Sequence, residues 1–144
     1  VVEVRCATTA DADAVWTVLA DGWRLASWVV GAARVQAVDP GWPQVGATLT
    51  CGIGAWPLVL PGAARVTQCW PSRALALHGD APFAGIDVQV RVDSASTGCT
   101  LVMREDVVSG PASLVPAPLR AAAIGARNAE TLRRLALLAE APSP

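Results

Sequence analysis

Apolar and polar residues change period several times along this chain, and each change marks an element. Val2, Val4 and Cys6 alternate with Glu3 and Arg5, the twofold period of a strand with one dry face. The period then lengthens. Ala12, Val15, Trp16 and Leu19 share one helical face, with Thr8 or Thr9 as the cap and Asp11 and Asp13 in the first turn, where the helix dipole favours acids. Asp21 and Gly22 interrupt this pattern, and Asp21 to Trp28 reads as a second short helix.

Strands follow. Ala32 to Val38 reads as one, closed by the Pro- and Gly-rich turn Asp39 to Gly46. Leu49, Cys51 and Ile53 then alternate with Thr48, Thr50 and Gly52, and Gly54 to Gly62 reads as a wide apolar loop or strand end. Arg65 to Trp70 and Arg73 to Gly79 pair across a Pro71-Ser72 turn. The strictest alternation is in Ile86 to Asp93, where Ile86, Val88, Val90 and Val92 oppose Asp87, Gln89, Arg91 and Asp93, so one face is dry and one wet. Ser94 to Gly98 turns the chain into a strand from Cys99 to Val107. Short turns between consecutive strands make an antiparallel meander and leave no room for the helical crossovers of a parallel sheet.

Pro116 and Pro118 open a last helix predicted over Leu119 to Ala139. Ile124, Asn128, Leu132 and Leu135 form its apolar stripe; Arg120, Arg127 and Arg134 form another, with Glu130 placed to pair with Arg134, which predicts a solvated face. A helix with one apolar stripe laid on the dry face of a sheet encloses an apolar space, and that is the layout of a ligand pocket.

Composition narrows the function without naming it. The chain has 144 residues, 53% of them hydrophobic, with 11 basic against 12 acidic residues, which suits one domain and either a large interior or an apolar cavity. Every basic residue is Arg, so a Schiff-base lysine is excluded. The arginines are dispersed, and no nucleic-acid partner is expected. The uncharged stretch from Pro40 to Ala64 holds four prolines and five glycines, too interrupted for a transmembrane helix. No basic run leading into an apolar segment opens the sequence, so a cytoplasmic location is expected. Cys6, Cys51, Cys69 and Cys99 are far apart and His78 is the single histidine, a poor set for zinc; reduced, buried thiols and no metal or cofactor are expected. Gly52 to Trp56 contains a Gly-x-Gly, but no helix follows to receive a phosphate.

The order of elements resembles the START-like helix-grip fold of the SRPBCC superfamily over nearly the whole chain. The resemblance is carried by Thr9 to Asp21 after the first strand, by Trp28, by the Asp39 to Gly46 turn, and by Met103 to Pro111 together with Arg127 to Ala136. Together these look like a bacterial polyketide cyclase/dehydrase-like protein. The resemblance implies an α+β fold in one domain spanning residues 1–144. It implies two short helices after the first strand and a curved antiparallel sheet of about six to seven strands wrapped around a long C-terminal helix. It also implies a cavity for a small hydrophobic molecule, whether lipid, polyketide or aromatic. It implies no reaction, since members range from carriers to cyclases.

Candidate residues follow from parity and position. Glu105 shares parity with Leu101 and Met103, so it faces the concave side. There it is either a general acid-base group or a ligand contact, or it pairs with an Arg or with Asn128 and ties strand to helix. Asn128 can orient a carbonyl or hydroxyl, or bridge to the sheet as a satisfied amide. Trp28, Trp56 and Met103 are the other candidate pocket residues, the tryptophans as stacking surfaces where the resemblance places the pocket entrance. Trp16, Trp42 and Trp70 are assigned to core or turn packing, and His78, opposite in parity to Leu75 and Leu77, to the outer surface. A cavity of roughly 300–1,000 Å³ is expected. Three functions remain: binding of a small hydrophobic or aromatic molecule, a polyketide cyclase/dehydratase-like enzyme using Glu105, or an interaction module with a collapsed cavity. The absence of Tyr and the single His disfavour aromatase-type acid-base chemistry.

Overall fold

The computed structural model describes residues 1–55 and 57–142. Strand β1 (Val2–Thr8) leads to helix α1 (Ala12–Leu19), a short 3-10 turn (Gly22–Arg24) and helix α2 (Leu25–Trp28). Six strands follow: β2 (Ala32–Val38), β3 (Thr48–Ala55), β4 (Leu58–Trp70), β5 (Ala74–Ala81), β6 (Ala84–Ser94) and β7 (Cys99–Ser109). A second 3-10 turn (Pro111–Leu114) precedes helix α3 (Ala117–Glu140). All neighbours pair antiparallel in one sheet of order β1-β7-β6-β5-β4-β3-β2. The α1 and α2 segment carries the chain from one edge of this curved sheet to the other, and α3 lies on its concave face. This is the helix-grip arrangement.

Local chemistry explains most element ends. The cap of α1 is Asp11, whose side chain accepts from the Ala14 N–H at 2.8 Å, and not Thr8 or Thr9. Thr8 is spent elsewhere: its hydroxyl donates to Glu140 and accepts from the Ala10 N–H at 3.1 Å. Helix α3 begins two residues before the predicted start, since Pro116 sits at its cap and Pro118 in its first turn, where no N–H is missed. In the β6–β7 turn, Gly98 has φ +68, and a Cβ there would lie 1.9 Å from the Thr8 carbonyl oxygen, so only glycine fits.

One open reading is resolved and one expectation is corrected. Of the two readings of Gly54 to Gly62, strand end holds and wide loop does not: β3 runs to Ala55 and β4 starts at Leu58, with Pro61 opposite Gly52. A proline is tolerated here because β5 pairs with β4 only from Ala63 onward, so Pro61 has a free strand edge on that side. Trp70, assigned to packing, is exposed, as is Trp23, while Trp42 and Trp28 are buried.

The register defines the concave face in rows. One runs Val66, Leu77, Val88, Glu105, Val2; the next toward α1 runs Cys69, Leu75, Val90, Met103, Val4. The predicted stripe of α3, Ile124, Asn128, Leu132 and Leu135, is buried against this side. Leu132, Leu135 and Ala136 share one packed cluster with Val15, Val18 and Leu19 of α1 and with Val92, Cys99 and Leu101 of the sheet. Each of the large side chains there contributes about 1.5–3 kcal/mol by burial. No helix among the described residues is long and apolar enough to cross a membrane.

Candidate functional site

The packed cluster extends across the sheet to Leu49, Cys51 and Val66, yet it leaves a hollow beside Ala64 and Gly79. One further row across the strands runs Leu49, Ala64, Gly79, Ile86, Val107, and its two middle members carry almost no side chain. Helix α3 cannot close the gap, because Arg127, Asn128 and Thr131 are the residues it presents there. The result is an apolar cavity of about 140 Å³ walled by both elements and by the connection after α2. It is smaller than the roughly 300–1,000 Å³ expected of a drug-sized site, and Met103, Val90, Leu75 and Trp28 are among the side chains that line it. A void of about 150 Å³ with an aliphatic and aromatic lining stays dry and accepts benzene in another protein, so this one matches a single ring. Exposed Gly31 and Asp80 belong to the wall, so the cavity opens at that end.

Of the sequence candidates, Trp28, Met103, Glu105 and Asn128 come together on this wall. Trp56 lies outside the described residues. Alternation along β7 turns Glu105 inward between Val88 and Val2, where it is only 3% exposed. Two donors from α3 meet it. The Arg127 guanidinium forms a salt bridge to Oε2, and Asn128 Nδ2 donates to Oε1 at 3.4 Å. Arg127 was expected on the solvated stripe with Arg120 and Arg134. It keeps a side chain 38% exposed, yet its head reaches back over the helix to the buried acid, because a long aliphatic stem lets the charge lie away from its own Cα. Glu130, placed for Arg134, pairs with both Arg133 at 2.7 Å and Arg134 at 3.1 Å. These two bonds hold its carboxyl down at about 2.

Both oxygens of Glu105 thus have partners, and its charge is balanced by Arg127. The cluster presents a neutral, hydrogen-bonded patch in an apolar wall, which costs far less than an unpaired acid there. Sequence reasoning missed Arg127, Thr131 and Cys51 as wall residues. Thr131 stands one turn beyond Asn128, and that spacing was the available signal. Its oxygen accepts from the Val30 N–H at 3.1 Å, tying the connection after α2 to α3 at the mouth. Burial pushes the Cys51 thiol up from its ordinary value, so it stays a protonated, inert part of the lining.

His78 sits on the opposite, convex face, with Nδ1 2.7 Å from Asp87 and Nε2 3.3 Å from Asp80. The Asp87 hydrogen bond leads in raising its pKa, with Asp80 adding to it.

A family described as polyketide cyclase/dehydrase and lipid transport matches residues 1–140. The chain belongs to this family. No curated protein matches it. Among solved structures, the family member is similar to the Zhui aromatase/cyclase from a Streptomyces strain, at 20% identity and a TM-score of 0.75, covering 96% of this chain and 92% of that one. It is also similar to the di-domain ARO/CYC StfQ of the steffimycin biosynthetic pathway, at 14% identity and TM-score 0.75, covering 96% of this chain and 49% of that one. A structural-genomics protein from Chromobacterium violaceum matches at 16% identity and TM-score 0.74, with 98% of both chains covered. At these identities the likeness is one of fold.

Proposed function

We propose that this polyketide cyclase/dehydrase family member binds a small hydrophobic or aromatic molecule in the cavity between the sheet and α3, with Trp28, Met103, Glu105 and Asn128 as contacts, and releases it unchanged. The observation that carries the reading is the apolar cavity of about 140 Å³ whose single buried acid is already neutralised. A void with hydrocarbon walls favours an apolar guest, because each buried methylene contributes about 0.8 kcal/mol. Both oxygens of Glu105 are engaged by α3, so its carboxylate ties the helix to the sheet. A cytoplasmic, reduced setting accords with four free cysteines. Turnover is the rival reading, and Glu105 is its only strong acid-base candidate in the wall.

Native mass spectrometry of the freshly purified protein tests binding: a co-purified or added single-ring compound should appear as a discrete mass increment. An unliganded mass with every apolar probe would reject the cavity as a binding site and favour the interaction module. Glu105→Gln then separates carrier from enzyme. A catalytic acid would lose about 10²–10⁴ in turnover of an identified substrate with affinity intact. The carrier reading expects no turnover to lose, and a lower melting temperature.

A further inference from the structure

The cavity wall is held firmly everywhere but at one place. Among the described residues, Val29, Val30 and Gly31, the strap between α2 and β2, are the only wall residues outside a helix or a strand. The wall strands β3 to β7 each have a paired neighbour on both sides, and α3 is anchored by Leu132 and Leu135 in the packed cluster. The strap runs instead into β2, an edge strand whose pairing with β3 shifts register between Ala32 and Arg34. Local opening begins where few backbone groups are locked, so the strap is the part of the wall that moves at least cost.

Two bonds from other elements hold it closed. The Gly54 N–H donates to the Gly31 carbonyl at 2.9 Å, and the Val30 N–H donates to the Thr131 hydroxyl oxygen at 3.1 Å. The first joins two backbones and needs no side chain. The second depends on a single hydroxyl, on a residue only 1% exposed. Valine would fill that site with nearly the same shape and leave the Val30 N–H without its acceptor. The outer side of the strap has slack: Gly31 has φ +103, and a Cβ there would meet nothing within 4 Å. The mouth lies at exposed Gly31 and Asp80, so a guest that enters or leaves passes the strap.

Resting on the binding function above, we infer that this strap is the gate of the cavity and that Thr131 is its latch. Thr131 is then a positioning residue that acts through the Val30 N–H and sets how fast guests exchange, not how tightly they bind. Opening precedes both entry and exit, so a weaker latch raises the two rates by one factor and leaves their ratio unchanged.

The test follows fluorobenzene by fluorine NMR exchange spectroscopy on the full chain, which reads entry rate, exit rate and affinity together. Thr131→Val should raise both rates about threefold to tenfold, the worth of one such hydrogen bond, with affinity unchanged. Hydrogen exchange of the Val30 amide should quicken by the same factor. Thr131→Ser keeps the hydroxyl and should keep the original rates. Gly31→Ala strains the closed strap through its backbone alone and should also raise both rates, which gives a second handle if Thr131→Val folds poorly. Unchanged rates in Thr131→Val and Gly31→Ala, with fluorobenzene still bound, would overturn the gate while leaving cavity binding intact. A loss of affinity in Thr131→Val carried by the exit rate alone would make Thr131 a wall contact and overturn the latch. Fluorobenzene that fails to bind even the unaltered protein would remove the binding function, and the gate with it.

Discussion

Helix α3 meets the same sheet in two ways along its length. Toward its C-terminal end, Leu132, Leu135 and Ala136 join α1 and Leu101 in the buried cluster. One to two turns earlier, Arg127, Asn128 and Thr131 face a hollow across from Ala64 and Gly79. The packed half supplies the stability that lets the other half stay empty. An unfilled void forfeits dispersion contacts, and polar side chains on a helix interior cost more than leucines. A chain that keeps both places them where a ligand can repay them. Antiparallel pairing runs from β4 to β7 across both halves, with register shifts at Val66/Gln68 and Gly85/Ile86, so the side chains at Ala64 and Gly79 are the plainest difference between them.

The largest effect that would break this contrast is Leu132→Ala. With Leu132 fully buried in the packed half, the substitution should cost about 2–5 kcal/mol in denaturant unfolding, whereas a near-neutral result would mean that this half also has slack. The paired charges of the hollow half come next. Arg127→Met removes the exposed partner and strands the buried carboxylate, so it should cost about 1–3 kcal/mol, less than in a fully dry pair because water reaches the arginine. Glu105→Gln leaves only a half-exposed cation behind and should cost less than Arg127→Met; the reverse order would put the desolvated charge on the wrong partner.

A third comparison adds the same two methyl groups to each half. Ala136→Val overpacks the dense cluster and should cost about 1–3 kcal/mol. Ala64→Val points into the hollow and suits a strand, so its cost should stay within about 0.5 kcal/mol while the affinity for single-ring probes falls. Equal costs at the two sites would abolish the distinction. The smallest effect arises outside both halves and serves as a control. The folded protein raises the pKa of His78 from 6.5, chiefly through Asp87. Its contribution is therefore fully present below that ordinary value and is lost as pH rises through the higher folded value. His78→Gln should flatten a shallow decline in stability above neutral pH and leave probe affinity unchanged; a loss of affinity would place His78 in contact with the cavity.

Strand parity and helical spacing carried much of this from residues alone. Glu105 and Met103 face inward because alternation along β7 is strict, and the buried stripe of α3 follows from 3.6-residue spacing. What parity could not carry is register between strands. Ala64 and Gly79 lie 15 positions apart in the sequence and open the interior only because β4 and β5 set them side by side. The same limit hid Arg127, whose position on the helix marks a wet face while its long side chain ends at a buried acid. Pro61 and its neighbouring glycines disguised the β3–β4 hairpin, since breakers in a strand are tolerated only where a neighbour is missing, and that too is a property of the pairing. The tryptophans divide for a related reason: Trp28 is held under α3 and Trp70 stands exposed at a strand end, and composition treats them alike.

Under the proposed binding function, the missing side chains at Ala64 and Gly79 would let the lineage retune the size of its guest without rebuilding its scaffold. The two sites differ in how easily they drift. A Cβ at Gly79 would come within 3.1 Å of the Ile86 side chain, so growth there must be coordinated with a change on β6. Ala64 can enlarge or shrink its neighbour space alone. Divergence in guest size among related chains is therefore expected to begin at the position of Ala64, with Gly79 and Ile86 changing together.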